Sequence, residues 1–123
     1  MIGMKLKSYS PQAIEVWYII PAIRREFVKG LVKLGLSQKQ AAEKLSLTEG
    51  AVSLYLRDKR AKEVVFEKKI KMEIEKSVGV IMKGRSVMKE IQRICKLTEK
   101  DMLVCRISKK LGFAPKRCRE CFK

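Results

Sequence analysis

The chain contains no histidine and no asparagine. Without an imidazole there is no histidine general base, no Ser-His pairing and no His-ligated zinc. Aromatic residues make up only 7%, and the longest unbroken apolar run, Val16–Ile20, is five residues. That run is far shorter than the ~20 residues needed to span a bilayer. Seven glycines are present, yet none forms a glycine-rich phosphate loop. Acidic side chains number 13 against 29 Lys and Arg, and most stand among lysines, where solvated ion pairs are expected. Together these absences argue against an enzyme and against a membrane-spanning protein, and no small-molecule substrate is indicated. Met1–Ser10 lacks the apolar segment of a signal peptide, so a cytoplasmic, soluble protein is expected. Missing asparagine alongside plentiful Lys, Glu and Ile matches a bias reported for proteins of hot environments.

What remains is strongly basic and well supplied with core-forming residues. The formal charge is +16 over 123 residues, and 46% of the chain is hydrophobic, too much for a disordered basic tail. Such a charge attracts polyanions, with nucleic acid the first candidate partner and an anionic membrane surface the second. Residues 1–61 carry 11 basic and 5 acidic side chains, and residues 62–123 carry 18 and 8.

The apolar pattern is helical throughout, and the fold class expected is all-α. Ser10-Pro11 reads as an N-cap followed by proline at the first helical position. The apolar stretch to Ile20 forms a short first helix, and Pro21 interrupts it and starts a second over Pro21–Leu34. Ile23, Phe27 and Leu31 recur there at steps of four, with Gly35 as the C-cap. Ser37-Gln38-Lys39-Gln40 has the form of a capping box opening a short helix, Gln38–Leu45. Thr48 caps another, from Glu49 to about Arg57. Further on, Phe66, Ile70, Ile74, Val78 and Ile81 predict one long amphipathic helix, broken at Lys83-Gly84-Arg85. Ser86 caps the next, with Val87, Ile91 and Ile94 as its stripe, ending near Leu97. Thr98-x-x-Asp101 resembles a further cap, with Leu103, Ile107 and Leu111 continuing to Gly112. Phe113–Lys123 reads as irregular.

Two short capped helices separated by about three residues have the dimensions of a DNA-reading helix-turn-helix. The segment Ser37–Leu45 followed by Thr48–Arg57 resembles the lambda-repressor-like (Cro/C1-type) helix-turn-helix of transcriptional regulators. Glu15–Arg24 is similar to the entry segment of archaeal regulators built on that domain. The likeness covers about residues 11–61. It implies a helix-turn-helix DNA-binding domain over residues 1–61, followed over 62–123 by a helical dimerisation and four-cysteine region. The family usually places glycine in the turn after the first short helix; here Ser46 stands there, in a left-handed position that costs a residue with a Cβ about 1 kcal/mol.

In such a domain the second short helix enters a major groove. Thr48, Glu49, Gly50 and Ser53 would face base edges, with Glu49 able to accept from a cytosine amino group and Gly50 allowing close backbone approach. Gln38 would meet a phosphate, and Arg57, Lys59 and Arg60 would neutralise others. The plainer alternative is that Thr48 and Ser53 only cap and solvate a bundle helix. Leu54 and Tyr55 fit either the core or DNA. A homodimer on double-stranded DNA with a palindromic operator is the expected assembly. A small basic RNA-binding protein is the alternative class.

All four cysteines, Cys95, Cys105, Cys118 and Cys121, fall in the last 29 residues. Cys118-x-x-Cys121 is a chelating pair, and Lys116, Arg117 and Arg119 around it favour the thiolate. An iron–sulfur cluster of the 4Fe–4S type, which takes four thiolates at irregular spacing, is the favoured content, with redox or iron sensing as its use. Structural zinc, a thiol/disulfide switch, and plain burial of Cys95 and Cys105 remain alternatives.

Overall fold

The structure, a computed structural model, describes residues 11–57 and 64–110. Those residues are mostly helical, and no strand occurs among them. In chain order the helices are α1 (Pro11–Ile14), a π-helical turn (Glu15–Ile19), α2 (Ile20–Lys33), α3 (Gln38–Lys44), α4 (Glu49–Arg57), α5 (Lys68–Met82), α6 (Val87–Lys100) and α7 (Leu103–Lys110). No helix among the described residues is long and apolar enough to cross a membrane.

Pro21 does not restart a helix as the sequence predicts. The chain runs helically from Pro11 to Lys33 by widening into the π turn just before the proline, where the Ile20 N–H donates to the Glu15 carbonyl. Proline has no N–H and its ring crowds the carbonyl four residues back, so loosening the preceding turn removes that conflict without breaking the rod. Ile14 and Ile19, five residues apart, both become fully buried.

The helix ends follow local chemistry closely. After α2, Gly35 sits at φ 107° with its N–H on the Val32 carbonyl (2.9 Å), while the Leu36 N–H reaches Leu31 (3.2 Å). After α3 the same pattern recurs: the Ser46 N–H donates to Glu43 (3.2 Å) and the Leu47 N–H to Ala42 (2.8 Å). Ser46 takes φ 56°, the left-handed position expected from the sequence. Gly84 closes α5 likewise, and Met102 closes α6 at φ 58°. Each pattern satisfies carbonyls that the helix terminus leaves unpaired.

Two predicted boundaries move. Phe66 precedes α5 rather than lying in it: residues 64–67 are non-helical, with Val64 and Phe66 buried and Val65 and Glu67 exposed. Thr98 does not cap a new helix. It is fully buried inside α6, and its hydroxyl donates to the Cys95 carbonyl at 2.7 Å, a back-bond that lets a buried threonine continue the helix to Lys100. The predicted continuation through Leu111 and Gly112, the irregular tail and the 61/62 segment boundary lie outside the described residues.

One apolar core joins both parts of the chain. Ile23, Phe27 and Leu31 of α2 share it with Ile74, Val78 and Ile81 of α5, Ile91 and Ile94 of α6, and Leu103, Val104 and Ile107 of α7. Helix α2 is the hub, packing on α3, α4, α5 and α6, while α1 packs on α7. Beside this core, Arg93 of α6 clamps α5: Nη1 pairs with Glu73 Oε1 (2.6 Å), and Nη2 reaches the Glu73 carbonyl (3.0 Å) and Ser77 Oγ (2.8 Å). Arg93 Nε and the Ser77 hydroxyl both donate to Glu90 Oε1, at 3.2 and 2.7 Å. The buried Ser77 is thereby satisfied twice, as a buried hydroxyl requires.

The approach of α2 to α5 is tight enough to demand glycine. A Cβ at Gly30 would lie 2.7 Å from Val78 Cγ2, whereas one at Gly79 would meet nothing within 4 Å. Gly30→Val is expected to destabilise the fold by about 1–3 kcal/mol through overpacking, and Gly79→Ala to stabilise it by up to ~1 kcal/mol, both read from urea midpoints. Ser46→Gly should raise stability by about 0.5–1 kcal/mol in the same assay by relieving the left-handed backbone; an unchanged midpoint would mean Ser46 carries no strain.

Candidate nucleic-acid interface

Helix α3 begins with a complete capping box. The Gln40 N–H donates to Ser37 Oγ at 3.1 Å, and the Ser37 N–H donates to Gln40 Oε1 at 2.9 Å. This fixes the start of the helix and leaves Gln38, its first residue, exposed. Ala41, Ala42 and Leu45 turn inward. Their small volumes let α3 pack on both α2 and α4.

Helix α4 starts at Thr48, whose Oγ1 accepts from the Ala51 N–H at 3.0 Å. The hydroxyl still has its proton to donate outward. Val52 is fully buried and seats α4 on the bundle. Glu49, Gly50, Ser53, Leu54 and Arg57 follow at steps of one, four, five and eight along the helix, so they share the opposite face. Four of these are exposed, and Ser53 is half-buried. Arg57 Nε donates back to the Ser53 carbonyl at 3.3 Å, which draws the guanidinium along that face. Of the residues singled out from the sequence, Gln38, Thr48, Glu49, Gly50, Ser53 and Arg57 are therefore placed on α3 and α4, and Lys59 and Arg60 lie outside the described residues.

Gly50 is not needed for packing: a Cβ there would meet only Thr48 Oγ1, at 3.9 Å. Leu54, which the sequence left between core and surface, is 57% exposed and joins the outward stripe. Tyr55 goes the other way. Its hydroxyl accepts from Arg24 Nη1 at 2.9 Å, and the guanidinium carbon lies 5.8 Å from the ring centre. Its partner is in a different helix, 31 residues away, so no local pattern could have revealed it.

The cysteines are only partly placed. Cys95 on α6 is half-buried, Cys105 on α7 is buried, and both are free thiols. Cys118 and Cys121 lie outside the described residues. Burial pushes the Cys95 thiol up to about 11, and the negative charges of Glu15 and Glu99 push the same way, with Arg24 opposing them. Without a bound metal, these surroundings favour the neutral thiol of Cys95. Among the described residues, no three Cys, Asp or Glu side chains gather as a metal site.

Glu15, in the π turn, is the most perturbed carboxyl of the described residues. Burial, the neighbouring charge of Glu99 and a carboxyl–carboxyl hydrogen bond with Glu99 raise it from 4.5 to about 7. Sequence inspection gave no sign of it, because the two glutamates are 84 residues apart in sequence.

Comparison with known protein families, curated proteins and solved structures yields no match to this chain.

The folded state holds the Glu15 proton more tightly than the unfolded state does. Stability from this proton is complete below about pH 4.5 and is lost as pH rises to about 7. Glu15→Gln should flatten the decline in melting temperature across that window and leave the variant more stable than wild type at pH 8. Glu73, lowered by Arg93 and Lys76, acts below its ordinary 4.5 and does not overlap. Parallel pH profiles for the variant and wild type would show that Glu15 titrates normally.

Proposed function

We propose that this chain is a sequence-specific DNA-binding transcriptional regulator acting as a homodimer on a palindromic operator. The observation that carries the reading is the outward stripe Glu49, Gly50, Ser53, Leu54 and Arg57 on α4, a helix seated by Val52 and entered through a capped turn from α3. A helix so presented matches the size and the polar, hydrogen-bonding edge of a major groove. Thr48, Glu49 and Ser53 supply donors and acceptors for base edges, and Leu54 supplies an apolar contact suited to a thymine methyl. Gln38 at the start of α3, with Arg57, Lys59 and Arg60, addresses phosphates. Gly50 supports the same reading, since a glycine that packing does not need costs helix stability for no structural return.

Exposed Val32, Leu34, Met72 and Met88 are apolar surface that a second copy would cover. The cysteine region enters no step of this proposal. The net charge of +16 suits RNA as well, but a major-groove helix has no use against the narrow major groove of an RNA duplex.

Selection from a randomised duplex library, followed by titration against duplex DNA and duplex RNA, tests the reading. Ser53→Ala should relax sequence preference, whereas Lys59→Ala should weaken every duplex alike. Gly50→Ala should raise the melting temperature and lower affinity together, because its Cβ is accommodated by the protein and not by the groove. If six to ten phosphates are engaged by the dimer, affinity falls about 10³–10⁵-fold between 50 and 200 mM salt. Equal affinity for RNA and DNA duplexes, or no selected consensus, would sink the proposal.

A further inference from the structure

The turn between α5 and α6 and the first turn of α6 carry three cations that have no ion-pair partner among the described residues. Lys83, Arg85 and Lys89 are exposed, and none makes an ion pair among the described residues. They ring a hollow of about 310 Å³ that Val80, Ser86 and Glu90 complete. The only carboxylate in that wall, Glu90, is already engaged by Arg93 and by the Ser77 hydroxyl, so its charge is compensated from behind. The turn is also held in shape. Gly84 at φ 86° donates its N–H to Ile81 at 2.9 Å, and the Arg85 N–H donates to Val80 at 3.3 Å. Ser86 Oγ accepts from the Lys89 N–H at 3.3 Å and fixes the start of α6. Three cations on a preset turn lose little backbone entropy when they engage an anion.

The position of the turn gives it a partner. Lys44, the last residue of α3, donates from Nζ to the Met82 carbonyl at 3.4 Å, which ties the end of α5 to the end of α3. The turn that begins at Lys83 therefore lies beside the end of α3, the first helix of the α3–α4 unit. We infer that Lys83, Arg85 and Lys89 form a second phosphate-binding surface, which grips the nucleic-acid backbone beside the segment held by α3 and α4. This inference rests on the proposed function and extends its footprint from the helix-turn-helix to the second half of the chain. A lipid surface is the less fitting partner, because Met88 is the one strongly exposed large apolar residue from Lys83 to Lys89.

The test uses the full chain and a mixed-sequence DNA duplex of about 30 base pairs, roughly three turns, since phosphate contacts do not depend on sequence. The patch variant is Lys83→Ala/Arg85→Ala/Lys89→Ala. The control, Lys69→Ala/Lys96→Ala/Lys100→Ala, removes the same charge toward the far ends of α5 and α6. Melting curves establish that both fold. The patch variant should bind about 10- to 100-fold more weakly, with the log–log salt slope reduced by about 2–3, while the control stays within a few-fold of wild type. An equal loss in both variants would mean a general field and overturn the inference. So would wild-type affinity in the patch variant, which would leave the proposed DNA reading standing. Loss of binding to phosphatidylserine-containing vesicles with duplex affinity unchanged would assign the patch to lipid and also overturn it. If wild type binds no duplex at all, the proposed function fails, and this inference with it.

Discussion

The contact between α2 and α5 at Gly30 and Val78 is the constraint on which the rest of the molecule depends. Helix α2 meets α3 and α4 as well as α5 and α6, so it can serve both parts of the chain only if one side allows very close approach. Gly30 provides that side by having no side chain. Val78 fills the space, and Ile74 and Ile81 extend the contact along the same stripe of α5. The Arg93 clamp then binds α6 to α5 beside the core. The short helices α3 and α4 are thus held on α2, which is itself braced from its other side by residues after position 64. A seven-residue helix such as α3 has little stability alone, and its persistence reflects this support more than its own propensity.

The features legible in the sequence are those set by neighbours within one turn. The capping box at Ser37 and Gln40, the caps at Thr48 and Ser86, and the glycine stop at Gly35 each need only a few adjacent residues, and all are where the pattern puts them. Ser46 is a stricter case, since its left-handed backbone was expected from the position and not from the residue type. The apolar stripes on α2 and α5 were legible because burial follows helical period whatever the partner. Phe66 shows the limit of that signal. It keeps the four-residue spacing and is buried, yet it lies before α5, because spacing alone does not report backbone conformation.

What escaped the sequence depends on partners far along the chain. Thr98 looked like a cap because threonine often is one, and only the surrounding core makes its back-bond to Cys95 the better use of the hydroxyl. Tyr55 required Arg24, and Glu15 required Glu99. The same applies in part to Cys95: Glu99 stands one turn along its own helix, but Glu15 and Arg24 come to it from the start of the chain. Arg24 stands between these features, hydrogen-bonded to Tyr55 of α4 and close enough to Cys95 to oppose the carboxylates. The outward face of α4 is legible as a motif; what holds it in place is not.

The π turn at Glu15–Ile19 has a consequence for chain length. It amounts to one residue more than a regular helix would use, taken up in an unbroken rod with little change in the phase between α1 and α2. Deleting any one residue there would restore ordinary winding. It would keep Pro11–Ile14 nearly in phase with α2 but return Pro21 to its clash with the preceding turn. Along this stretch the spacing between residues is as constrained as their identity, and an insertion or deletion is more disruptive than many substitutions.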